Sequence, residues 1–272
     1  MKNPREAHGK DFGLFFDTET VLLDEQTPFQ HLLIVKTESM GNVMFLDGLV
    51  MVTDRDEMYY HESITHPVAC RVPELKNALI IGGGDGGTAR ELLRYPGLQV
   101  TQVEIDNAVV EGSKKYHPTM AVSYSNPRMH LIVGDGCAYA AEYKGTPYDL
   151  ICIDSSEPIG PNGTLFTPEF YGHIRRILSP KGHVVVQTGS PMWQKEEITE
   201  IVGKLKGVFP SVEGYTGYTP TYPGGFWAFC ACGNGPLDRA VKRDVFAETH
   251  WTTAKNTEAM LGLGIIAAKD LA

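Results

Sequence analysis

The sequence predicts an α/β protein: a parallel sheet with helices on both faces, preceded by a small antiparallel β domain. Two observations carry this. From about Asn77 onward, continuous apolar runs of four to six residues ("NALIIGGG", "VTQVEID", "MHLIVGDG", "YDLICIDSS", "GHVVVQTGS") alternate with helix-like segments, which is the pattern of strands buried on both faces. Before that point the apolar runs are short and punctuated by turn residues, with no helical stretch between them. A third feature, the glycine-rich "IGGGDGG" at Ile81–Gly87, sits where the first long run meets the first helix and marks a ligand site.

Taken in order, residues 1–62 form the predicted β domain. Its runs are "FGLFF", "HLLIVKT" and "NVMFLDGLVMVT". The Asp47-Gly48 step, flanked by apolar residues, is a hairpin signal. Residues 63–272 form the predicted catalytic domain with a C-terminal helical tail. Its helices are "TARELLRY", "AVVEGSKKY", "PEFYGHIRRIL" and "KEEITEIVGKLKGVF". In the last, Ile198, Ile201, Val202, Leu205 and Val208 recur at the spacing of one helical face. "VEGYTGYTPTYPGG" and "FWAFCACG" read as a hairpin closing the sheet, and the more polar tail from about Leu237 as helix packed on the main domain.

Composition narrows the function. The 272-residue chain has a formal net charge of −9, which argues against a nucleic-acid partner because phosphate binding needs a basic face. It suits a cationic ligand, although solubility alone accounts for it equally well. No run of ~18 apolar residues predicts a membrane span, and no secretory pattern opens the chain. The five cysteines form no C-x-x-C pair. They read as free thiols in a reducing compartment, so a cytoplasmic protein is expected.

Gly82, Gly84 and Gly87 fit G-x-G-x-x-G directly after a strand, and Glu104 ends the next strand about twenty residues on, where an acid commonly holds ribose hydroxyls. Together they point to a nucleoside; the alternative is a tight strand–helix turn without a ligand. Asp85 lies inside the loop and works against a pyrophosphate. Two like charges ~4 Å apart cost about 4 kcal/mol at an effective dielectric of 20. An adenosine ligand with no phosphate and a cation removes the conflict, and S-adenosyl sulfonium compounds fit that description. Asp135, in "VGDG" at the end of the third strand, lies on the ligand side of such a sheet and is a candidate for the adenine amine.

The fourth strand ends in "CIDSSEPIGP", where Asp154 and Glu157 flank two serines ahead of Pro158 and Pro161. A turn or helix cap explains these residues too. Yet Asp85, Asp135, Asp154 and Glu157 are all expected at one sheet edge, and carboxylates gathered in one cleft repel unless cations fill it. A polyamine-like partner is therefore expected. Tyr222, between Pro220 and Pro223, either walls an apolar slot or contacts a cation. Gln30, Tyr60 and His61 lie beside apolar runs and, from the residues alone, read as structural. His61 has no metal-like partner spacing, so no metal is expected.

At this point the motifs carry a resemblance. "GGGDGG", "VEID", "SKKYHPTMA", "VGDG", "DSSEPIGP" and "PTYPGG", in this order and after "FLDGLVMVTDRDEMYYHE", resemble the spermidine synthases, or polyamine aminopropyltransferases, from about Phe12 to Gly235. The resemblance implies a Rossmann-like, methyltransferase-type domain behind the N-terminal β domain, and a homodimer or homotetramer. It implies transfer of the aminopropyl group of decarboxylated S-adenosylmethionine to putrescine, giving spermidine and 5′-methylthioadenosine. By motif, Asp154 resembles the proton acceptor, with Tyr60 orienting the nitrogen. Asp85 resembles the acid that holds the aminopropyl amine. Glu104 with Ile105, and Asp135 with Gly136, match the nucleoside-binding pairs. Gln30, Tyr60, His61, Ser155, Glu157, Gln187 and Tyr222 match the amine and aminopropyl channel, and Pro161 and Leu165 the wall near adenine. One departure is Glu157, where many members have Asp. The extra methylene bears on diamine length. Two alternatives remain: a putrescine N-methyltransferase using S-adenosylmethionine, and a non-catalytic polyamine-binding homologue.

Overall fold

The structure, a computed structural model, describes residues 3–8, 10–156 and 160–265, the last range without the side chains of 160–162. An N-terminal hairpin, β1 (Arg5–Ala7) and β2 (Gly13–Phe15), precedes a four-stranded antiparallel sheet: β3 (Thr20–Gln26), β4 (His31–Thr37), β5 (Gly41–Leu46) and β6 (Leu49–Thr53). The Asp47-Gly48 turn joins β5 to β6 with both residues at positive φ (50° and 86°), the mirror-image turn that matches strand twist. Alternation in β4 sends Leu33 and Val35 to a cluster with Phe16 and Phe45. Leu32 and Ile34 go to the opposite face, against Val109 and Met120. That second contact fastens the small sheet to the larger domain.

Helix α1 (Glu57–Ala69) follows. The division expected between residues 62 and 63 falls inside this helix. Nothing in its sequence marks it, because α1 is buried on nearly every side, polar residues included, and so lacks a one-faced apolar stripe. After it come β7 (Asn77–Gly82), α2 (Gly87–Leu93), β8 (Gln99–Glu104), α3 (Asn107–Tyr116), α4 (Pro118–Ala121), β9 (Met129–Val133), α5 (Gly136–Glu142), β10 (Tyr148–Asp154), α6 (Pro168–Ile177), β11 (Leu178–Gly189), α7 (Lys195–Val208), β12 (Ser211–Tyr218), β13 (Phe226–Gly233) and α8 (Ala254–Leu263).

The seven-stranded sheet runs β12-β13-β11-β10-β7-β8-β9. Strands β9, β8, β7, β10 and β11 are parallel, and the β12–β13 hairpin closes the edge antiparallel. Both faces are covered. Ala78, Ile80, Leu150 and Cys152 pack against α1 and α2, while Leu79, Ile81, Ile151 and Ile153 pack against α6 and α7. Strand order reverses between β7 and β10, so a crevice opens at their carboxyl ends, the usual ligand position in such sheets. Gly82 and Asp154 are paired there.

The polar tail is tied to α1. Glu62, fully buried, accepts hydrogen bonds from the N–H groups of His250, Trp251 and Thr252 and from the Thr252 hydroxyl. The tail is expected to be helical from about Leu237, but α8 begins only at Ala254, with Thr253 and Asn256 forming a capping box. Residues 266–272 lie outside the described residues. Among the described residues no helix is long and apolar enough to cross a membrane.

Candidate active site

The glycine loop after β7 turns against β10. Gly82 has φ 86°, and a Cβ there would lie 2.3 Å from the Asp154 carbonyl oxygen, so only glycine permits this approach. The Gly83 N–H donates to that same carbonyl (2.8 Å). The loop thus brings Asp85 and Asp154 into the lining of one cavity of about 430 Å³.

Asp85 is held from two sides. Its Oδ1 accepts the Gly87 N–H (2.6 Å) and lies 3.1 Å from His61 Nε2. His61 Nδ1 is 2.7 Å from Glu57 Oε2, and Arg90 grips Glu57 with two 2.8 Å hydrogen bonds. Burial pushes the pKa of Asp85 up, but the His61 charge and hydrogen bond outweigh it, and the net shift is downward. Asp85 is therefore an ionised carboxylate at neutral pH.

Asp154 is tuned the opposite way. Burial first, then the charge of Asp85, raises its pKa. Two hydroxyls oppose that shift: Tyr60 donates to Oδ1 (2.7 Å) and Thr88 to Oδ2 (2.6 Å). Burial, followed by Asp154, holds the Tyr60 phenol far above its ordinary value, so its hydroxyl is a donor throughout the working range. A buried carboxylate with raised basicity and two fixed donors is suited to accepting a proton.

The other end of the cavity suits an uncharged nucleoside. Buried Glu104, at the tip of β8, accepts the Asp106 N–H at Oε1 (2.8 Å), and burial pushes its pKa to about 7. Ile105, Gly136 and Leu165 share this wall. Gln30 reaches over from the small sheet and donates to Asp106 Oδ2 (3.0 Å). Asp135 lines the cavity but spends Oδ1 on the Cys137 N–H (2.7 Å), capping α5.

At the third side, Gln187 donates to the Ser155 carbonyl (2.8 Å) and accepts from the Trp227 indole (3.0 Å). Tyr222 donates to the Met51 carbonyl (2.6 Å) and packs edge-on against Trp227. Gly82, Gly84 and Ser155 also line the cavity. Glu157 and the side chain of Pro161 lie outside the described residues.

Comparison with known proteins identifies the family. A family model described as the spermine/spermidine synthase domain matches residues 57–241, and one described as the spermidine synthase tetramerisation domain matches residues 4–54. The chain belongs to the spermine/spermidine synthase family. It is 41% identical over 261 residues to a polyamine aminopropyltransferase of Bacillus cytotoxicus, covering 95% of this chain and 94% of that one. It is 42% identical over 225 residues to that of Bacillus subtilis (82% and 81% covered). A crystal structure of spermidine synthase in complex with the transition-state analogue AdoDATO superposes with TM-score 0.91 at 30% identity, over 99% of this chain and 94% of that one. The spermidine synthase of Thermotoga maritima gives 0.90 at 29%, over 100% and 94%. The protein is accordingly an enzyme of the aminopropyltransferase type, Rossmann-like in its larger domain, and the tetramerisation domain supports an oligomer.

Besides Glu57 and Arg90, three further residues of the site escape sequence reasoning. Glu6, from β1, lines the cavity and accepts the Val50 N–H (2.6 Å). A three-residue strand gives no periodic signal. Thr88 reads as one more position of its helix, and Trp227 as one more apolar residue of its strand; only the fold brings them to Asp154 and Gln187. The expected gathering of four acids also needs refining. Asp85, Asp135 and Asp154 line the same cavity, and Asp85 faces His61, whose other nitrogen meets the Glu57 that Arg90 holds. A ligand is not the sole source of positive charge.

Proposed function

We propose that the enzyme moves the aminopropyl group of decarboxylated S-adenosylmethionine to putrescine, giving spermidine and 5′-methylthioadenosine. The observation that carries this reading is that one cavity is lined both by Asp85, held by His61 and the Gly87 N–H, and by Asp154, braced by the Tyr60 and Thr88 hydroxyls. The first suits an ammonium and disfavours the carboxylate of ordinary S-adenosylmethionine. The second suits a proton leaving an attacking amine. A relative solved with a transition-state analogue supports the same assignment.

In this reading Glu104, Ile105, Asp135, Gly136 and Leu165 hold the adenosine, with Gln30 steadying that wall through Asp106. The near nitrogen of putrescine lies against Asp154 and Tyr60. Its distal ammonium lies toward Gln187, Tyr222 and the buried carboxylate of Glu6. The lone pair of the unprotonated near nitrogen forms the N–C bond to the CH₂ beside sulfur, and Asp154, still a carboxylate as the bond forms, accepts the proton that the now positive nitrogen sheds. The C–S bond breaks with its electrons going to sulfur, so positive charge moves from sulfur toward Asp154. Placing a carboxylate where positive charge develops is electrostatic stabilisation of the transition state. The five cysteines are free, four of them buried, which fits a reducing cytoplasm. Exposed Phe12, Phe15, Val21 and Phe29 on the N-terminal elements support subunit contacts there, in a dimer or tetramer.

The test is incubation with putrescine and each cofactor form, followed by mass identification of the amine. Spermidine from the decarboxylated form alone is expected. Methylputrescine from S-adenosylmethionine, or no product, overturns the proposal.

A further inference from the structure

The His61 ring lies between two carboxylates. Nδ1 is 2.7 Å from Glu57 Oε2 and Nε2 is 3.1 Å from Asp85 Oδ1. A carboxylate only accepts, so satisfying both contacts takes a proton on each nitrogen. The ring is almost fully buried, and its place is reserved: a Cβ on Gly87 would fall 2.3 Å from Cε1. Glu57 is itself immobilised by the two-pronged grip of Arg90, which leaves it no freedom to swing away. Asp85 Oδ1 is then doubly occupied, by Gly87 and His61, and Oδ2 receives no hydrogen bond among the described residues.

We propose that Glu57 and Arg90 are positioning residues that fix His61 as an imidazolium with its Nε2–H committed to Asp85, so that the carboxylate stays ionised and turns Oδ2 to the aminopropyl ammonium. This deepens the proposed function and rests on Asp85 as the ammonium site.

The groups facing His61 from each packed element agree. Glu57 and Tyr60 lie on its own helix, Asp85 on the glycine loop, Arg90 behind Glu57 on α2, and Asp154 at the end of β10. Burial alone would discharge the ring, but the two adjacent carboxylates outweigh it and hold the imidazolium well above the ordinary histidine range. Arg90 pairs with Glu57 and Glu91, the His61 ring lies between Glu57 and Asp85, and Asp154 also feels the His61 charge. The relay keeps Asp85 charged beside Asp154 before any ligand arrives. Affinity for the aminopropyl end then stays level across neutral pH.

The experiment is a ring titration by NMR on full-length protein labelled in its nine histidines, with His61 assigned by its loss in His61→Gln. The ring is expected to stay doubly protonated from about pH 6 to about pH 8.5, beyond the usual histidine transition. In Glu57→Gln one of the two charges is gone, and the ring is expected to titrate inside that range. The KM for decarboxylated S-adenosylmethionine then climbs about tenfold with rising pH, the order expected for one lost charge-assisted hydrogen bond, while kcat at saturating cofactor holds. A parent ring that titrates near its ordinary value overturns the relay. So does a folded Glu57→Gln variant with the parent's KM profile. If the ring behaves as expected but Asp85→Asn keeps the parent's cofactor KM, the relay stands and it is the assignment of the ammonium to Asp85 that fails.

Discussion

Helices α1 and α2 meet across two buried histidine–carboxylate–arginine networks built from the same residue types to different ends. At His61, both ring nitrogens face carboxylates and the chain of contacts ends on Asp85 at the cavity. At His66, Nε2 meets Glu91 (3.0 Å) and Nδ1 meets the Tyr95 hydroxyl (3.0 Å), which donates or accepts as required. Arg94 and Arg90 close the second network on Glu91, and its carboxylate and ring are fully buried. Arg90 touches both. The networks differ in whether one oxygen is left over at a cavity. Where none is, the charges only brace two helices; where one is, the carboxylate keeps an acceptor facing the cavity.

This contrast is open to direct attack. The largest effect is expected next to the open network. Asp154→Asn should lower turnover ~10³-fold, the weight of a general base, while 5′-methylthioadenosine still binds by calorimetry. Near-parental turnover would remove Asp154 as base. Next is the closed network. Glu91→Gln breaks a buried, multiply paired charge and should cost about 3 kcal/mol in denaturant unfolding, with the cofactor KM close to the parent's. A stability loss absent there, or a KM rise instead, would erase the distinction. Asp85→Asn should shift the weight to binding, raising the KM for decarboxylated S-adenosylmethionine about tenfold, with a smaller stability loss than Glu91→Gln because removing its charge relieves the repulsion on Asp154. The smallest effect is shared by both networks. Burial works against the charge of Glu57, yet His61 and Arg90 bring its pKa down to about 2. In Glu91, His66 and the arginines likewise overcome burial and lower the pKa. A depressed carboxylate adds stability above its unfolded pKa and loses it as pH falls through the folded one. Unfolding free energy should therefore decline between about pH 4.5 and pH 2, and Glu91→Gln should flatten part of that slope.

How legible all this was depended on the range of the interactions involved. The five central strands were readable because burial on both faces leaves an unbroken apolar run, and the Asp47-Gly48 hairpin because its turn chemistry is local. Asp85 and Asp154 were readable as strand-end acids, since the sheet order carries strand ends to one edge. Helix α1 was not. Glu57, His61, Glu62 and His66 are polar and yet inside, and their partners at 85, 90, 91 and 250–252 are distant in sequence. The same holds for Thr88 beneath Asp154 and for Glu6 in the cavity lining. A residue's type announces that it wants a partner; only the fold says which one it has.

Glu62 gives the C-terminal segment a meaning beyond packing. This carboxylate is a socket on the very helix that carries Tyr60 and His61, and residues 250–252 are its plug. A deletion reaching back to Trp251 would strand a buried charge one residue from His61. A fusion placed beyond α8 would leave the socket filled. The tail, which looks like the most dispensable part of the chain, is in effect a latch on the reaction centre's own scaffold.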